Sequence, residues 1–235
     1  MIVHTHIEIF DTKYLIELTE LLELWNQSWK SNGFDTVITT NEYIDEKHTQ
    51  EIIGFNKVIA EFPSVNKKGF DFSAFRRWLA AKLVAEENNK YIITTECDLI
   101  NYNIKPNDIQ IEYDKLAIAR PDGCPVFSIG NANSFASLVD MISKHEINNT
   151  DTIDDKPHIS DQNFICKYFK YTSSYKELDN YSIQNVFCPG WKTSDAVHYG
   201  TPFFLRNNIQ YDSKVSKIRE LRPLNDNNSS NTLAQ

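Results

Sequence analysis

The sequence is poor in cysteine, has no long apolar run and carries no excess of basic residues. Its four cysteines form no Cys-x-x-Cys pair, so free thiols in a reducing compartment are expected rather than disulfides. No stretch approaches the length of a membrane span, and the first residues lack the pattern of a signal peptide. A net charge of −8 argues against a general nucleic-acid binder. We therefore expect a cytoplasmic protein that does not bind nucleic acid.

The beginning of the chain has the pattern of an α/β fold. Its 235 residues suit one large domain with a full core. Residues 1–10 predict a strand, and a helix with apolar residues three and four apart follows, beginning at Asp11 or Thr12 and ending at Gly33. Residues 34–40 predict a second strand. Together these elements predict a βαβ unit with a right-handed crossover.

The ends of these two strands supply candidate nucleotide contacts. In nucleotide-binding α/β folds the carboxyl end of the first strand lines the base pocket. Thr5 and His6, together with Thr40 at the end of the second strand, are therefore candidate nucleotide-binding residues. The alternation of His4 and His6 with apolar residues is more typical of structural or surface positions than of a metal site.

Two further helices are predicted before the next strand. Residues 42–62 predict one helix, which ends before a proline. The second is expected to begin at a cap formed by Asp71 or Ser73. Its large apolar side chains recur at helical spacing and predict a buried face: Phe75, Trp78, Leu79 and Leu83. Arg76 and Arg77 lie beside this apolar stripe. On the simplest interpretation both are solvated and pair with nearby acids.

The most distinctive segment is a β-branched run that ends in two acids. Residues 91–95 have no helical period and predict a central strand buried on both faces. In an extended chain Glu96 and Asp98 would point to the same side. Two crowded carboxylates resist ionisation unless a cation lies between them, and oxygen ligands favour Mg²⁺ or Mn²⁺. The alternative is a solvated acidic loop at the end of a strand.

The second half of the sequence is less regular. Residues 109–118 and 125–130 predict strands, and an amphipathic helix follows from Asn131. Residues 148–156 are polar and acidic and predict an exposed loop. The polar tail 224–235 is expected to be disordered.

Three short motifs occur in the order found in glycosyltransferases of the A-type (GT-A) fold. Glu96-Cys97-Asp98 resembles their Asp-x-Asp segment, with Glu in place of the first Asp. Asp161-Gln162 resembles the Asp-Gln pair of retaining enzymes of the glycogenin and bacterial galactosyltransferase type, although a helix cap also explains Asp161. His198-Tyr-Gly-Thr-Pro resembles the His-x-x-Gly-x-Lys-Pro-Trp segment of that family, without its lysine and tryptophan. The resemblance covers residues 1–205.

This resemblance implies a single GT-A-like domain over residues 1–223. Its fold would be α/β, with a mostly parallel central sheet flanked by helices. Residues 1–101 would form the half that binds the nucleotide sugar. Residues 102–223 would form the half that binds the acceptor.

The resemblance also implies a metal site and a donor contact. Glu96, Asp98 and His198 would hold Mn²⁺ or Mg²⁺. Arg77, on the helix before the acidic strand, would reach the donor sugar or its diphosphate. Lys192 or Arg206 is a candidate for stabilising the diphosphate in place of the missing lysine.

Further implied roles concern the sugar. Asp161 and Gln162 would lie beside the anomeric carbon, where Asp161 would stabilise the developing oxocarbenium ion or take the acceptor proton. Asn131 and Asn133 would hold sugar hydroxyls, or would only cap the helix that follows.

The expected activity is metal-dependent transfer of a hexose from a nucleoside diphosphate sugar to a hydroxyl of a glycan or another acceptor. A uridine diphosphate donor and retention of configuration are favoured. One alternative is a catalytically silent sugar-binding domain of the same fold. Another is a nucleotidyltransferase, but such enzymes usually add a basic glycine-rich loop near the N-terminus, and the sequence has none.

Overall fold

A computed structural model describes most of the first 165 residues and five short strands beyond them. The described residues are 1–9, 12–66, 69–109, 116–118, 127–144, 151–165, 175–177, 196–198, 203–206, 209–212 and 217–220. Their side chains are described except at residues 12–17, 151 and 163 and from 175 onwards.

The secondary structure alternates strands and helices in the first half and consists mainly of short strands in the second. The helices are α1 (Thr12–Lys30), α2 (Asn41–Asp45), α3 (Gln50–Ala60), α4 (Phe70–Asn88), α5 (Ala132–Ser143) and α6 (Asp161–Phe164), with a 3₁₀ turn at Pro106–Asp108. The strands are β1 (Ile2–Ile7), β2 (Asp35–Thr40), β3 (Ile92–Thr95), β4 (Leu99–Asn101), β5 (Leu116–Ile118), β6 (Phe127–Gly130), β7 (Asp151–Ile153), β8 (Lys156–His158), β9 (Tyr175–Glu177), β10 (Ala196–His198), β11 (Phe203–Arg206), β12 (Ile209–Asp212) and β13 (Lys217–Glu220).

The central sheet has six strands in the order β2-β1-β3-β6-β5-β9. β1 is parallel to both of its neighbours, β2 and β3. β6 is antiparallel to β3 and β5, and β5 is parallel to β9. Three of the five neighbouring pairs are therefore parallel. The prediction of an α/β fold with a mostly parallel central sheet is confirmed.

Helices cover both faces of this sheet because successive residues of its buried strands point to opposite sides. On one face, Val3 and Ile93 pack with Trp25 and Trp29 of α1. On the other face, Ile2 and Ile92 pack with apolar residues of α3, α4 and α5. The amino-terminal parts of β1 and β3 are therefore apolar on both sides, as expected for parallel strands covered by helices.

Two helix predictions need correction. The single helix predicted over residues 42–62 is two helices, α2 and α3, and His48 between them adopts a left-handed conformation with φ of 47°. α4 begins at Phe70 rather than after a cap at Asp71 or Ser73. Gly69 precedes it with φ of 92°, a conformation that costs glycine little because it has no Cβ.

The exposed loop predicted over residues 148–156 is also wrong in part. β7 and β8 pair as an antiparallel hairpin within it. Asp154 and Asp155 form the turn with φ of 50° and 59°, and two positive φ values are typical of the type I′ turns that close two-residue hairpins. Asp tolerates this region better than most residues, so the acidic pair serves the turn.

The described helices include none that combines the length and apolar character needed to cross a bilayer.

Candidate functional site

The carboxyl ends of β2, β1 and β3 lie side by side at one edge of the sheet, because these three strands are adjacent and parallel. In open α/β sheets, ligands bind in the crevice outside this edge, where the connections leave in opposite directions. Here α1 leaves β1 to cover one face, and α4 enters β3 from the other face. The candidate site is therefore sought beyond the ends of β1 and β3.

The acid pair after β3 lies in a turn. The backbone N–H of Leu99 donates to the carbonyl oxygen of Glu96 at 3.2 Å, so the extended conformation expected for residues 96–98 is wrong. Glu96 is half-buried, whereas Asp98 is 0% exposed. Both acids still follow the carboxyl end of β3, the position at which the sequence predicted them.

Arg77 of α4 joins the acid pair to the Asp-Gln segment. Its Nη1 donates to Glu96 Oε1 at 2.7 Å, and its Nη2 donates to Asp161 Oδ2 at 2.5 Å. Arg77 is only 9% exposed and Arg76 only 3%. The interpretation of the two arginines as solvated surface residues is therefore wrong, and Arg77 forms a bridge between two acids far apart in the sequence.

Asp161 is the buried end of this bridge. It is the first residue of α6, is 3% exposed, and also accepts a hydrogen bond from Trp78 Nε1 at 3.2 Å. Burial raises the pKa of the Asp161 carboxyl, while the neighbouring Arg77 guanidinium opposes that rise. Gln162, its neighbour in the motif, is exposed. The structure therefore brings Asp161, but not the side chain of Gln162, into the buried cluster.

His198 lies on a strand that pairs next to the acid turn. β10 is antiparallel to β4, and the backbone of His198 is opposite Leu99, the residue after Asp98. Its side chain is outside the described part of the structure. The pairing brings the backbones of the predicted ligands Asp98 and His198 together, although 99 other residues separate them in the sequence.

The donor set can be tested for its fit to a cation. Glu96 and Asp98 offer the hard oxygen ligands that Mg²⁺ and Mn²⁺ prefer. Among the side chains that the structure describes, no group of three or more His, Cys, Asp or Glu residues is placed to hold a metal ion. The two carboxylates fit a divalent ion in chemistry, and a third protein ligand would have to come from beyond that set, where His198 lies.

A second polar network lies at the end of β1, next to the Arg77 bridge. Its members in order are Thr94, His4, Thr39, His6, Glu8, Arg76 and Asp45. His4 contacts Thr94 through Nδ1 at 3.1 Å and Thr39 through Nε2 at 2.8 Å. His6 contacts Thr39 through Nδ1 at 2.9 Å and Glu8 through Nε2 at 2.8 Å. Arg76 ends the network by donating to Glu8 at 3.2 Å and to Asp45 at 2.5 Å.

The histidine contacts select one tautomer. If both histidines carry hydrogen on Nε2, His4 donates to Thr39 and His6 donates to Glu8, while each Nδ1 accepts from a threonine hydroxyl. Each of the four contacts then joins one hydrogen-bond donor to one acceptor. Both nitrogens of His6 are used, so the structure does not support its predicted role as a base contact.

Thr5 and Thr40 are the remaining candidate nucleotide contacts at the strand ends. Thr5 is fully buried, and its Oγ1 has no hydrogen-bond partner among the described residues. Thr40 pairs with Ile7 and precedes α2, without capping that helix through its side chain. Both stay predictions as nucleotide contacts. Glu8 was missed by the sequence analysis, although its spacing of two from His6 extends the polar alternation beyond the strand.

Lowering the pH is expected to destabilise the protein through His4. Burial, assisted by the neighbouring His6, lowers the pKa of His4 to about 3, whereas an unfolded histidine titrates near its ordinary value of about 6.5. The unfolded state therefore takes up the proton first, and stability falls as the pH drops below about 6.5. At pH 5 the loss from His4 is about 2 kcal/mol. Urea unfolding should show that His4→Gln loses about 2 kcal/mol less unfolding free energy between pH 7 and pH 5 than the wild-type protein does. An equal loss in the two proteins would contradict the prediction.

The predicted sugar contacts Asn131 and Asn133 lie elsewhere. β6 is antiparallel to β3 and ends with Gly130 opposite Ile92, so Asn131 leaves the sheet at the amino end of β3. The two ends of β3, Ile92 and Thr95, are about 10 Å apart in the extended strand, and the acid pair follows the Thr95 end. Asn131 Oδ1 accepts from Ser134 N at 2.9 Å and caps α5, and Asn133 is exposed. The capping alternative applies to Asn131. Lys192 is outside the described residues.

Comparison with known proteins finds distant similarity to solved structures. No model of a known protein family and no curated protein matches the sequence. A glycosyltransferase involved in the glycosylation of the major capsid of PBCV-1 is 12% identical with a TM-score of 0.47, over 76% of this chain and 82% of that chain. The galactosyltransferase LgtC, in complex with donor and acceptor sugar analogs, is 10% identical with a TM-score of 0.45, over 77% and 74%. Glycosyltransferase GlyE of Streptococcus pneumoniae is 14% identical with a TM-score of 0.42, over 78% of this chain and 46% of GlyE.

These three solved structures are glycosyltransferases. Identities of 9–14% describe a likeness of chain trace, and no activity follows from that likeness.

Proposed function

We propose that the protein is a metal-dependent glycosyltransferase, which moves a hexose from a nucleoside diphosphate sugar to a hydroxyl group of a glycan or another acceptor. A uridine diphosphate donor is favoured, as is retention of configuration at the anomeric carbon. One observation carries the proposal: Arg77 joins Glu96 after β3 to Asp161 at the start of α6. Two acidic motifs that are distant in the sequence thereby share one buried cluster at the edge where α/β proteins bind ligands.

Glu96 and Asp98 would hold Mn²⁺ or Mg²⁺, with His198 as the third protein ligand. The pairing of β10 with β4 supports this set, because it places the backbone of His198 beside the acid turn. When bound, the ion supplies positive charge that stabilises the departing diphosphate.

Arg77 would act by orientation. In the described structure its guanidinium holds Glu96 and Asp161 at the same time, which fixes the position of one acid relative to the other. A donor diphosphate would compete with these carboxylates for the guanidinium, since Arg binds phosphate and carboxylate with the same geometry. Arg77 would then orient the donor beside Asp161.

Asp161 would act on the sugar. Burial strengthens electrostatic interactions, so the ionised Asp161 carboxylate can stabilise positive charge that develops at the anomeric carbon. The same carboxylate could instead accept the proton of the acceptor hydroxyl. Stereochemical analysis of the product decides between these two roles.

A donor screen by thermal unfolding, with and without Mn²⁺, tests the proposal. A true donor at a hundred times its dissociation constant should add about 2.7 kcal/mol to the free energy of unfolding, and the gain should require Mn²⁺. Asp98→Ala should lose the part of the donor's stabilisation that requires Mn²⁺. Asp140 is an exposed acid of α5, and Asp140→Ala should keep that stabilisation.

The engagement of Glu96 by Arg77 also favours a second candidate, a catalytically silent sugar-binding module. In that case the arginine would neutralise the acid permanently in place of a metal ion. The screen separates the two functions: donor binding that ignores Mn²⁺, without sugar transfer, would support the silent module and refute the transferase.

A further inference from the structure

Trp78 lies directly against the proposed catalytic acid. It follows Arg77 in α4 and is fully buried. Its Nε1 donates to Asp161 Oδ2 at 3.2 Å, and Arg77 Nη2 donates to the same oxygen at 2.5 Å. The guanidinium carbon of Arg77 also lies over the indole ring, 4.8 Å from its centroid. Two neighbouring side chains, stacked on each other, therefore share one oxygen of Asp161.

Sharing one oxygen restricts the carboxylate more than either bond alone would. A carboxylate held by a single donor can rotate and exchange its two oxygens, because both are equivalent acceptors. A second donor from a different direction removes this freedom, and both donors belong to one packed helix. Oδ2 takes both bonds, so Oδ1 is the oxygen left to act on a substrate. Supporting contacts of this kind hold reactive groups in a productive geometry.

We propose that Trp78 is a positioning residue for sugar transfer: with Arg77 it fixes Oδ2 of Asp161 so that Oδ1 meets the reacting sugar. This inference rests on the proposed function, since it assigns Asp161 an action on the sugar. Trp78 itself touches no substrate and acts only through Asp161.

The chain offers a matched control in Trp25 of α1. Trp25 is also fully buried, and its Nε1 donates to Thr95 Oγ1 at 3.0 Å. Thr95 is held by the backbone pairing of β3 with β6, so loss of this bond frees no reactive group. Trp25→Phe and Trp78→Phe therefore remove the same kind of bond from the same kind of environment, and they differ in the partner that is released.

Steady-state kinetics with the donor identified by thermal unfolding test the inference. Trp78→Phe should lower kcat by about tenfold or more and change the donor KM by less than about twofold, because a misoriented carboxylate affects the transition state and not donor binding. Trp25→Phe should change neither constant by more than about twofold. A Trp78→Phe enzyme with the kcat of the wild type, or with KM raised as much as kcat is lowered, would overturn the inference.

A second measurement needs no donor. In ¹H–¹⁵N spectra the Trp78 indole resonance should move in Asp161→Asn more than the Trp25 indole resonance, because Trp78 loses a charged acceptor. Equal movement of the two would contradict the contact. If this contact is confirmed and the wild-type protein transfers no sugar, the proposed function fails and the inference with it. If the wild-type protein transfers sugar and Trp78→Phe does so equally well, only the inference fails.

If Trp78→Phe does not fold, the β-(3-benzothienyl)alanine side chain can be incorporated at position 78. It keeps the size of the indole ring and replaces the N–H group with sulfur. The same loss of kcat is expected with this side chain, and a wild-type kcat would overturn the inference.

Discussion

Arg77→Met is expected to lower the free energy of unfolding by about 3–5 kcal/mol, the range found when one partner of a buried ion pair is removed. The substitution keeps most of the aliphatic stem but leaves Asp161, which is 3% exposed, and Glu96 without the cation that lies between them. Asp161 would relieve the repulsion by taking up a proton, since burial already raises its pKa. The difference in unfolding free energy between the wild-type protein and Arg77→Met should therefore shrink as the pH is lowered from 7 towards 5.

Lys82→Met is the control for this measurement. Lys82 lies on the same helix and is also largely buried, but its acceptors Glu51 and Glu86 are 49% and 44% exposed. Ion pairs open to solvent contribute about 1 kcal/mol or less, so Lys82→Met should have a small effect that salt reduces further. Urea unfolding of both variants gives the comparison. If Arg77→Met costs no more than Lys82→Met, the bridge is not a buried charge network.

Asp161→Asn is expected to lower the rate of sugar transfer by about 10²–10⁴-fold, the usual contribution of a positioned acid or base. The amide keeps the shape of the side chain and can still accept hydrogen bonds from Arg77 and Trp78, but it carries no charge to offer a developing oxocarbenium ion and does not take up a proton. Donor binding should persist, because the substitution leaves in place the Arg77 guanidinium that would contact the diphosphate. Transfer assays combined with donor-dependent thermal unfolding separate the two effects.

Asp140→Asn serves as the matched control for this loss. Asp140 is an exposed acid of α5 whose partner is Lys144, one helical turn away, and its substitution should leave transfer unchanged. A decrease of less than about threefold in Asp161→Asn would be inconsistent with a catalytic acid or base. Asp161 would then be a structural partner of Arg77, and the search for the reacting group would move to Glu96.

Local sequence patterns were sufficient for most of the fold of residues 1–101. β1, α1 and β2 follow from apolar periodicities of two and about 3.6, and the buried strand β3 follows from its run of β-branched residues. The break between α2 and α3 was missed because nothing in the periodicity of residues 42–62 marks it. The start of α4 was misplaced because Asp71 has the composition of a cap, while its carboxylate accepts instead from Asn66 at 3.1 Å.

The site could be predicted only in part. The acids after β3 were found because strand and acidic motif adjoin in the sequence, but their turn was not, since hydrogen bonding in the folded chain decides it. The contact of Arg77 with Asp161 spans 84 residues, and no local pattern encodes it. The same holds for Trp78, which the helical spacing identified as core and which also bonds Asp161.

Arg76 and Arg77 are adjacent on α4, yet they serve different partners. One holds Glu8 and Asp45, and the other holds Glu96 and Asp161. Adjacent positions on a helix differ by about 100° in direction, so gaining or losing one residue early in α4 would turn both guanidinium groups away from their acids at once. Residues 75–85 of this helix are all buried, so it should tolerate no change of length, and related sequences that vary freely in their loops should keep its residue count.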